Sequence, residues 1–118
     1  MLMELARTLE RENPGKSVSY AMDAEEIAAS INQPLFEADA IQQVGNSYGV
    51  LGANLKQRDC YVRARKIYQD NGDARGEVAI LNNLATVSID ERNFEYARDY
   101  LIKALDMTIA SGESRTMM

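Results

Sequence analysis

The sequence predicts an all-α fold of six helices, paired into three helical hairpins that follow one another along the chain. Apolar and small residues recur at helical spacing, as Leu81, Leu84 and Ala85 do, and strand-like alternation is not seen. The pattern repeats after forty residues, so that residues 41–73 align without a gap on residues 81–113. Because one hairpin cannot bury its apolar face alone, three successive hairpins are expected to share a core.

The first copy, residues 1–32, is the least regular of the three. One helix is predicted over residues 2–12 and a second over residues 17–31, with a turn at Asn13-Pro14-Gly15 between them. The first helix matches the later copies best when one residue is deleted from the turn that follows it. With that deletion, its inner stripe consists of Leu2, Leu5, Ala6 and Leu9.

The second copy, residues 33–72, is predicted to contain helices over 34–52 and 55–70. Pro34 suits a first helical turn, where its missing N–H has no intrahelical partner to lose. Gly72 suits the left-handed position that closes a helix at its C-terminus.

Gly45 and Gly49 stand inside the predicted helix over residues 34–52. A glycine there destabilises the helix by about 1 kcal/mol relative to alanine, so each calls for a reason. Close approach to Ala64 of the paired helix would explain Gly45. For Gly49 a ligand backbone nearby and a neutral explanation both stay open.

The third copy, residues 73–112, is predicted to contain helices over 74–91 and 94–110, followed by a short tail, residues 113–118. Asp73 suits the N-cap of the first of these helices, and Arg92-Asn93 the turn between them. Gly112 is expected to form the turn that ends the copy.

The third copy resembles a tetratricopeptide repeat of the forty-residue type, as found in bacterial regulators and peptide-binding scaffold proteins. The residues that carry the resemblance are Leu84-Ala85, Phe94, Ala97, Leu101 and Ala104, followed by the Gly112 turn. The resemblance extends over nearly the whole chain as a single repeat domain, although Gln57 stands where that family usually has a small alanine. It implies a right-handed superhelix (an α-solenoid) whose first helices line a concave groove that receives a peptide or helix of a partner.

The residues that this resemblance places in the groove are mostly amides. They are Asp39, Gln42, Gln43 and Asn46 in the second copy and Asn82, Asn83 and Thr86 in the third, with Arg7 and Arg11 added from the first. Asn and Gln side chains donate and accept hydrogen bonds at once, which suits the main chain of an extended peptide. The alternative is that these are ordinary residues of an exposed helical face.

The composition argues against several classes of function. A net charge of −5 and a pI near 4.7 are unlike a nucleic-acid-binding protein, which needs a basic surface. With no histidine and the single cysteine Cys60, the chain offers no catalytic constellation and no metal-ligand set, and no cofactor is expected. No signal peptide or membrane span is recognisable, so a cytoplasmic setting without membrane contact is expected.

The last helix carries a second apolar line formed by Ile102, Leu105 and Ile109. Forty residues earlier the same positions hold Val62, Arg65 and Gln69, whereas a terminal helix is usually the more polar one. A further repeat or a second copy of the chain is therefore expected to cover this edge. The alternative is that three apolar side chains are tolerated at the surface.

The function predicted from these observations is a protein–protein interaction module without enzymatic activity. It would serve as a regulatory or sensory segment of a larger bacterial signalling protein. The alternative is a self-association unit that forms a homo-oligomer through its last helix.

Overall fold

The computed structural model describes residues 1–110, which consist of helices and short turns and contain no strand. The all-helical fold predicted from the sequence is confirmed, whereas the Gly112 turn and the tail, residues 113–118, lie outside the described residues. The six helices are α1 (Leu2–Leu9), α2 (Pro14–Ser30), α3 (Pro34–Val50), α4 (Asn54–Asp70), α5 (Ala74–Asp90) and α6 (Phe94–Ala110).

Helices α2 to α6 have the same length and the same spacing. Each contains 17 residues, and three turn residues separate each from the next. Successive helices therefore begin twenty residues apart, and equivalent helices of successive hairpins begin forty residues apart. The forty-residue interval in the sequence therefore corresponds to a repeat of helix and turn lengths in the backbone.

The turns after α2, α3, α4 and α5 share one structure. Each contains a residue with positive φ, and these residues are Asn32, Gly52, Gly72 and Arg92. At the end of α4, Gly72 N–H donates to the Gln69 carbonyl at 3.2 Å and Asp73 N–H to the Tyr68 carbonyl at 2.9 Å. These bonds satisfy carbonyls that the helix end leaves free, as predicted for Gly72.

Two helices begin at a side-chain cap. Asp73 accepts a hydrogen bond from Gly76 N–H at 3.1 Å, which confirms its predicted role. Asn13 accepts one from Lys16 N–H at 3.2 Å, and Pro14 occupies the first turn of α2. The predicted turn at residues 13–15 was therefore wrong, because these residues cap and open α2 three positions earlier than expected.

The connection between α1 and α2 differs from the other four. Helix α1 ends at Leu9, earlier than the predicted residue 12. Asn13 N–H donates to the carbonyl four residues back, at Leu9, whereas Ala53 N–H reaches five residues back, to Tyr48. The hydrogen bond that closes α1 thus spans one residue fewer than its counterpart at the end of α3, in keeping with the deletion in the sequence alignment, although four residues, 10–13, separate α1 from α2.

Each helix packs chiefly against its neighbours in the chain, and α1 also touches α3. The predicted inner face of α5 is fully covered, since Leu81, Leu84, Ala85 and Ser88 are all buried. In α6 only Ala97 and Ala104 are buried, and in α1 only Ala6 is. The core therefore lies in the middle of the chain, around α3, α4 and α5.

The glycines of α3 make room for residues of α4. A Cβ at Gly45 would lie 2.8 Å from the Tyr61 ring, so the close approach predicted here exists, with Tyr61 rather than Ala64 nearest. A Cβ at Gly49 would collide with the side chain of Gln57. Forty residues later this small–large pair is reversed to Ile89 and Ala97, so packing against Gln57 accounts for Gly49.

Candidate functional site

One face of α3 carries four polar side chains that meet Arg7 of α1. Asp39, Gln42, Gln43 and Asn46 lie three or four residues apart and so share one side of the helix. Together with Arg7 they line a cavity of about 190 Å³, called here the polar cavity. Arg7 comes from α1, the least regular part of the repeat pattern.

Two buried tyrosines of α4 hold this face in place. The Tyr68 hydroxyl donates to Asp39 Oδ1 at 2.6 Å, and the Tyr61 hydroxyl donates to Asn46 Oδ1 at 2.5 Å. Residues 39 and 46 are seven apart, as are residues 61 and 68, so the antiparallel helices α3 and α4 present the two pairs in register. These hydroxyl contacts were not predicted from the sequence, although the matched spacing was a usable signal.

Both phenols are neutral donors at ordinary pH. Burial raises the pKa of Tyr61 to about 12, against a smaller opposing effect of the hydrogen bond from Gln57. Burial also raises the pKa of Tyr68, and its hydrogen bond to Asp39 and the negative charge of that carboxylate add to the effect.

The directions of the hydrogen bonds made by the two tyrosines leave amide N–H groups for a ligand. Gln57 Nε2 donates to the Tyr61 hydroxyl at 3.2 Å, so that hydroxyl uses its one proton on Asn46. The Asn46 oxygen is thereby occupied, and its two N–H donors are left over. The one proton of Tyr68 is directed chiefly to Asp39 at 2.6 Å, and Gln42 Oε1 lies farther from the same hydroxyl, at 3.2 Å. The polar cavity therefore offers amide N–H groups and the Arg7 guanidinium to an acceptor-rich ligand.

Gln43 belongs mainly to an internal network that joins α1, α2 and α3. It is 4% exposed, and its Nε2 lies 2.8 Å from Glu10 Oε1 and 3.4 Å from Ser47 Oγ. Ser17 donates to the Ala6 carbonyl at 2.6 Å and so receives the proton of Ser47, which lies 2.6 Å away. The amide of Gln43 is thus used inside the protein, although the residue also lines the cavity.

The three groove residues predicted in α5 lie on the corresponding side of that helix but in a different setting. Asn82 and Thr86 are exposed and Asn83 is half-buried, and the Thr86 hydroxyl donates to the Asn82 carbonyl within the helix. Leu101 and Thr108 stand forty residues after the two tyrosines, so α6 has no phenol at these two equivalent positions. The three side chains extend the predicted surface along α5.

An apolar cavity of about 520 Å³ adjoins the polar one, and Arg7 and Asp39 border both. Its remaining lining is Met1, Leu2, Met3, Ala24, Ile27, Ala28, Ile31 and Phe36. It forms because α1 has 8 residues, whereas α3 has 17, which leaves the C-terminal half of α2 uncovered on that side. A ligand lying across Arg7 and Asp39 would meet a polar chamber on one side and an apolar one on the other.

The other predictions concern α6 and Cys60. The proposed self-association residues, Ile102, Leu105 and Ile109, are all exposed. Cys60 is buried, and burial raises the pKa of its thiol to about 11, which suits a structural cysteine. Among residues 1–110, no cluster of metal-ligating side chains and no helix able to span a bilayer is found.

No family model, curated protein or solved structure matches this chain. The similarity to tetratricopeptide repeats therefore stays a prediction from the residues quoted above.

Proposed function

We propose that this protein is an interaction module that binds an extended segment of a partner protein across α1 and α3. The proposal includes the stacking of the hairpins as a right-handed superhelix, with α1, α3 and α5 along its concave side. The packing of each helix on its chain neighbours supports this arrangement, as does the contact between α1 and α3.

The observation that carries the proposal is the polar cavity. Arg7 and four residues of α3, all predicted as groove residues from the sequence, line the same space of about 190 Å³. Asp39 and Asn46 are fixed there by buried tyrosines before any ligand arrives. Preorganised side chains lose less conformational entropy on binding, which favours affinity.

The chemistry of the two cavities indicates the kind of segment that would bind. Amide N–H groups and Arg7 suit backbone carbonyls or an acidic side chain, and the second oxygen of Asp39 suits a peptide N–H. The adjoining apolar cavity, with a volume of about 520 Å³, has room for large aliphatic or aromatic side chains. The preferred ligand is therefore a peptide with an apolar residue next to main chain held in the polar cavity.

The test starts from a displayed library of random dodecapeptides selected on the wild-type protein, followed by calorimetry with the selected peptides. Arg7→Ala and Asn46→Ala are each expected to weaken binding at least tenfold, about 1.4 kcal/mol. Asn83→Ala shows whether the bound segment extends to α5.

The matched control is Lys66→Ala, which removes an exposed cation from α4 outside the two cavities. It should leave the affinity unchanged, and circular dichroism should show that every variant keeps its helix content. A library without binders tighter than about 1 mM, or binders indifferent to Arg7 and Asn46, would contradict the proposal.

A further inference from the structure

Helix α5 covers one face of α4. The equivalent face of α6 carries apolar residues. Arg65 and Gln69 of α4 both bind Glu77 of α5, with Arg65 Nε 3.4 Å and Gln69 Nε2 2.8 Å from Glu77 Oε2. Forty residues later the same positions of α6 hold Leu105 and Ile109, which are exposed. The surface equivalent to a covered one is thus uncovered in α6, and its side chains would suit an apolar partner.

Exposure at the neighbouring positions separates this face from the rest of α6. Tyr61 is 4% exposed, and its equivalent Leu101 is 44% exposed. Val62, in contrast, is as exposed on α4 as Ile102 is on α6, at 51% and 49%. The unpartnered face therefore comprises Leu101, Leu105 and Ile109, and Ile102 lies outside it.

Helix α1, in the first hairpin, has apolar side chains that are exposed where their counterparts in α5 are buried. When Ala6 is matched to Ala85, Leu5 falls on Leu84 and Met1 on Ile80. Leu84 and Ile80 are buried in α5, whereas Leu5 and Met1 are 41% and 94% exposed. The two ends of the protein thus carry the two halves of a contact that the interior already contains between α4 and α5.

Charged residues follow the same correspondence. Arg58 of α4 forms a salt bridge with Glu91, just beyond the end of α5. Arg98 stands forty residues after Arg58, and Glu12 falls on Glu91 in the alignment of α1 with α5. Arg98 is mostly exposed and lies only 3.5 Å from its sequence neighbour Asp99, so it is available to an acid of another molecule.

We propose that a second copy of this chain docks its α1 against the unpartnered face of α6, in the way that α5 docks against α4. Leu5 and Met1 of one copy then cover Leu101 and Leu105 of the other, and Glu12 pairs with Arg98. Because the two surfaces differ, the contact is head-to-tail, and every open assembly keeps one unused surface at each end. This contact is independent of the polar cavity.

Sedimentation velocity over a range of concentrations tests the proposal with the full chain. The wild-type protein is expected to form dimers and longer species with a Kd below about 1 mM, the weakest association that counts as specific here. Leu105→Glu blocks one surface and Leu5→Glu blocks the other, so each variant alone should be monomeric. An equimolar mixture of the two should form a 1:1 dimer and nothing longer, since each copy still offers one intact surface.

Ile102→Glu is the matched control, because it puts the same charge on the same helix outside the docking face. It should assemble like the wild type, and the circular dichroism spectra of all variants should coincide. Arg98→Glu and Glu12→Arg change exposed residues only, so they test the contact even if Leu5→Glu disturbs α1. Each should weaken association several-fold, and the double variant should restore it.

Three results would overturn the proposal. One is a wild-type protein that stays monomeric up to about 1 mM. The second is a Leu5→Glu variant that assembles as well as the wild type, which would indicate pairing of α6 with α6. The third is an equal loss of assembly in Ile102→Glu, which would indicate unspecific adhesion of apolar residues.

Discussion

The second hairpin, α3–α4, and the third, α5–α6, have the same backbone and different interiors. Their helices begin and end forty residues apart, yet α4 buries Tyr61 and Tyr68 where α6 carries Leu101 and Thr108. The polar cavity lies where the tyrosines hold the side chains of the paired helix. The comparison teaches that the turns determine the length of the repeat. The side chains packed between the two helices of a hairpin determine whether a polar site forms.

The largest expected difference between the two hairpins concerns truncation at equivalent positions. Tyr61→Ala should lower the free energy of unfolding by about 3–5 kcal/mol, because it empties a packed site against Gly45. Leu101→Ala should lower it by only about 1 kcal/mol, since that side chain is 44% exposed. Urea denaturation of the monomeric protein measures both, and equal losses would show that α6 is covered like α4.

A smaller contrast is expected between two buried serines. Ser47 links Gln43 to Ser17, so Ser47→Ala should cost about 1–2 kcal/mol of stability. The Ser88 hydroxyl is buried without a hydrogen-bond partner among residues 1–110, so Ser88→Ala should be neutral or stabilising by about 1 kcal/mol. Thermal and urea denaturation check both signs, and a clear loss in Ser88→Ala would mean that this hydroxyl has a partner after all.

The smallest effects are expected at the two turns that differ only in residue type. Gly72 and Arg92 both have φ above 60°, at 68° and 61°, a conformation that strains a side chain. Gly72→Ala should therefore destabilise the protein by about 1 kcal/mol, and Arg92→Gly should stabilise it by a similar amount. If both substitutions shift the melting temperature in the same direction, the equivalence of these turns is wrong.

Much of the helical framework could be predicted because its signals are local. Gly72 and Asp73 mark the end of one helix and the start of the next through their own backbone and side-chain chemistry. The start of α2 was misplaced because Asn13-Pro14-Gly15 reads equally well as a turn or as a cap followed by a first helical turn. The hydrogen bonds from Lys16 N–H to the Asn13 side chain and from Ser17 N–H to the Asn13 carbonyl distinguish the two.

The site could be predicted in part. The amide face of α3 follows from helical spacing, but the use of Gln43 inside the protein depends on Glu10 and Ser47, which are 33 and 4 residues away in the chain. Likewise, the small Gly49 faces the large Gln57, whereas at the equivalent positions the large Ile89 is matched with the small Ala97. This exchange is visible only when both residues of a pair are considered. A single position reveals neither, because its meaning depends on the residue that faces it.

The most direct test of the stacked arrangement is native-state hydrogen exchange on the monomeric protein, read amide by amide. If the hairpins pack only on their chain neighbours, α3, α4 and α5 should exchange through global unfolding. Helices α1 and α6, each covered from one side, should open first, at a free energy lower by about 1–3 kcal/mol. Equal protection of all six helices would contradict the account, because it is the behaviour of a closed bundle.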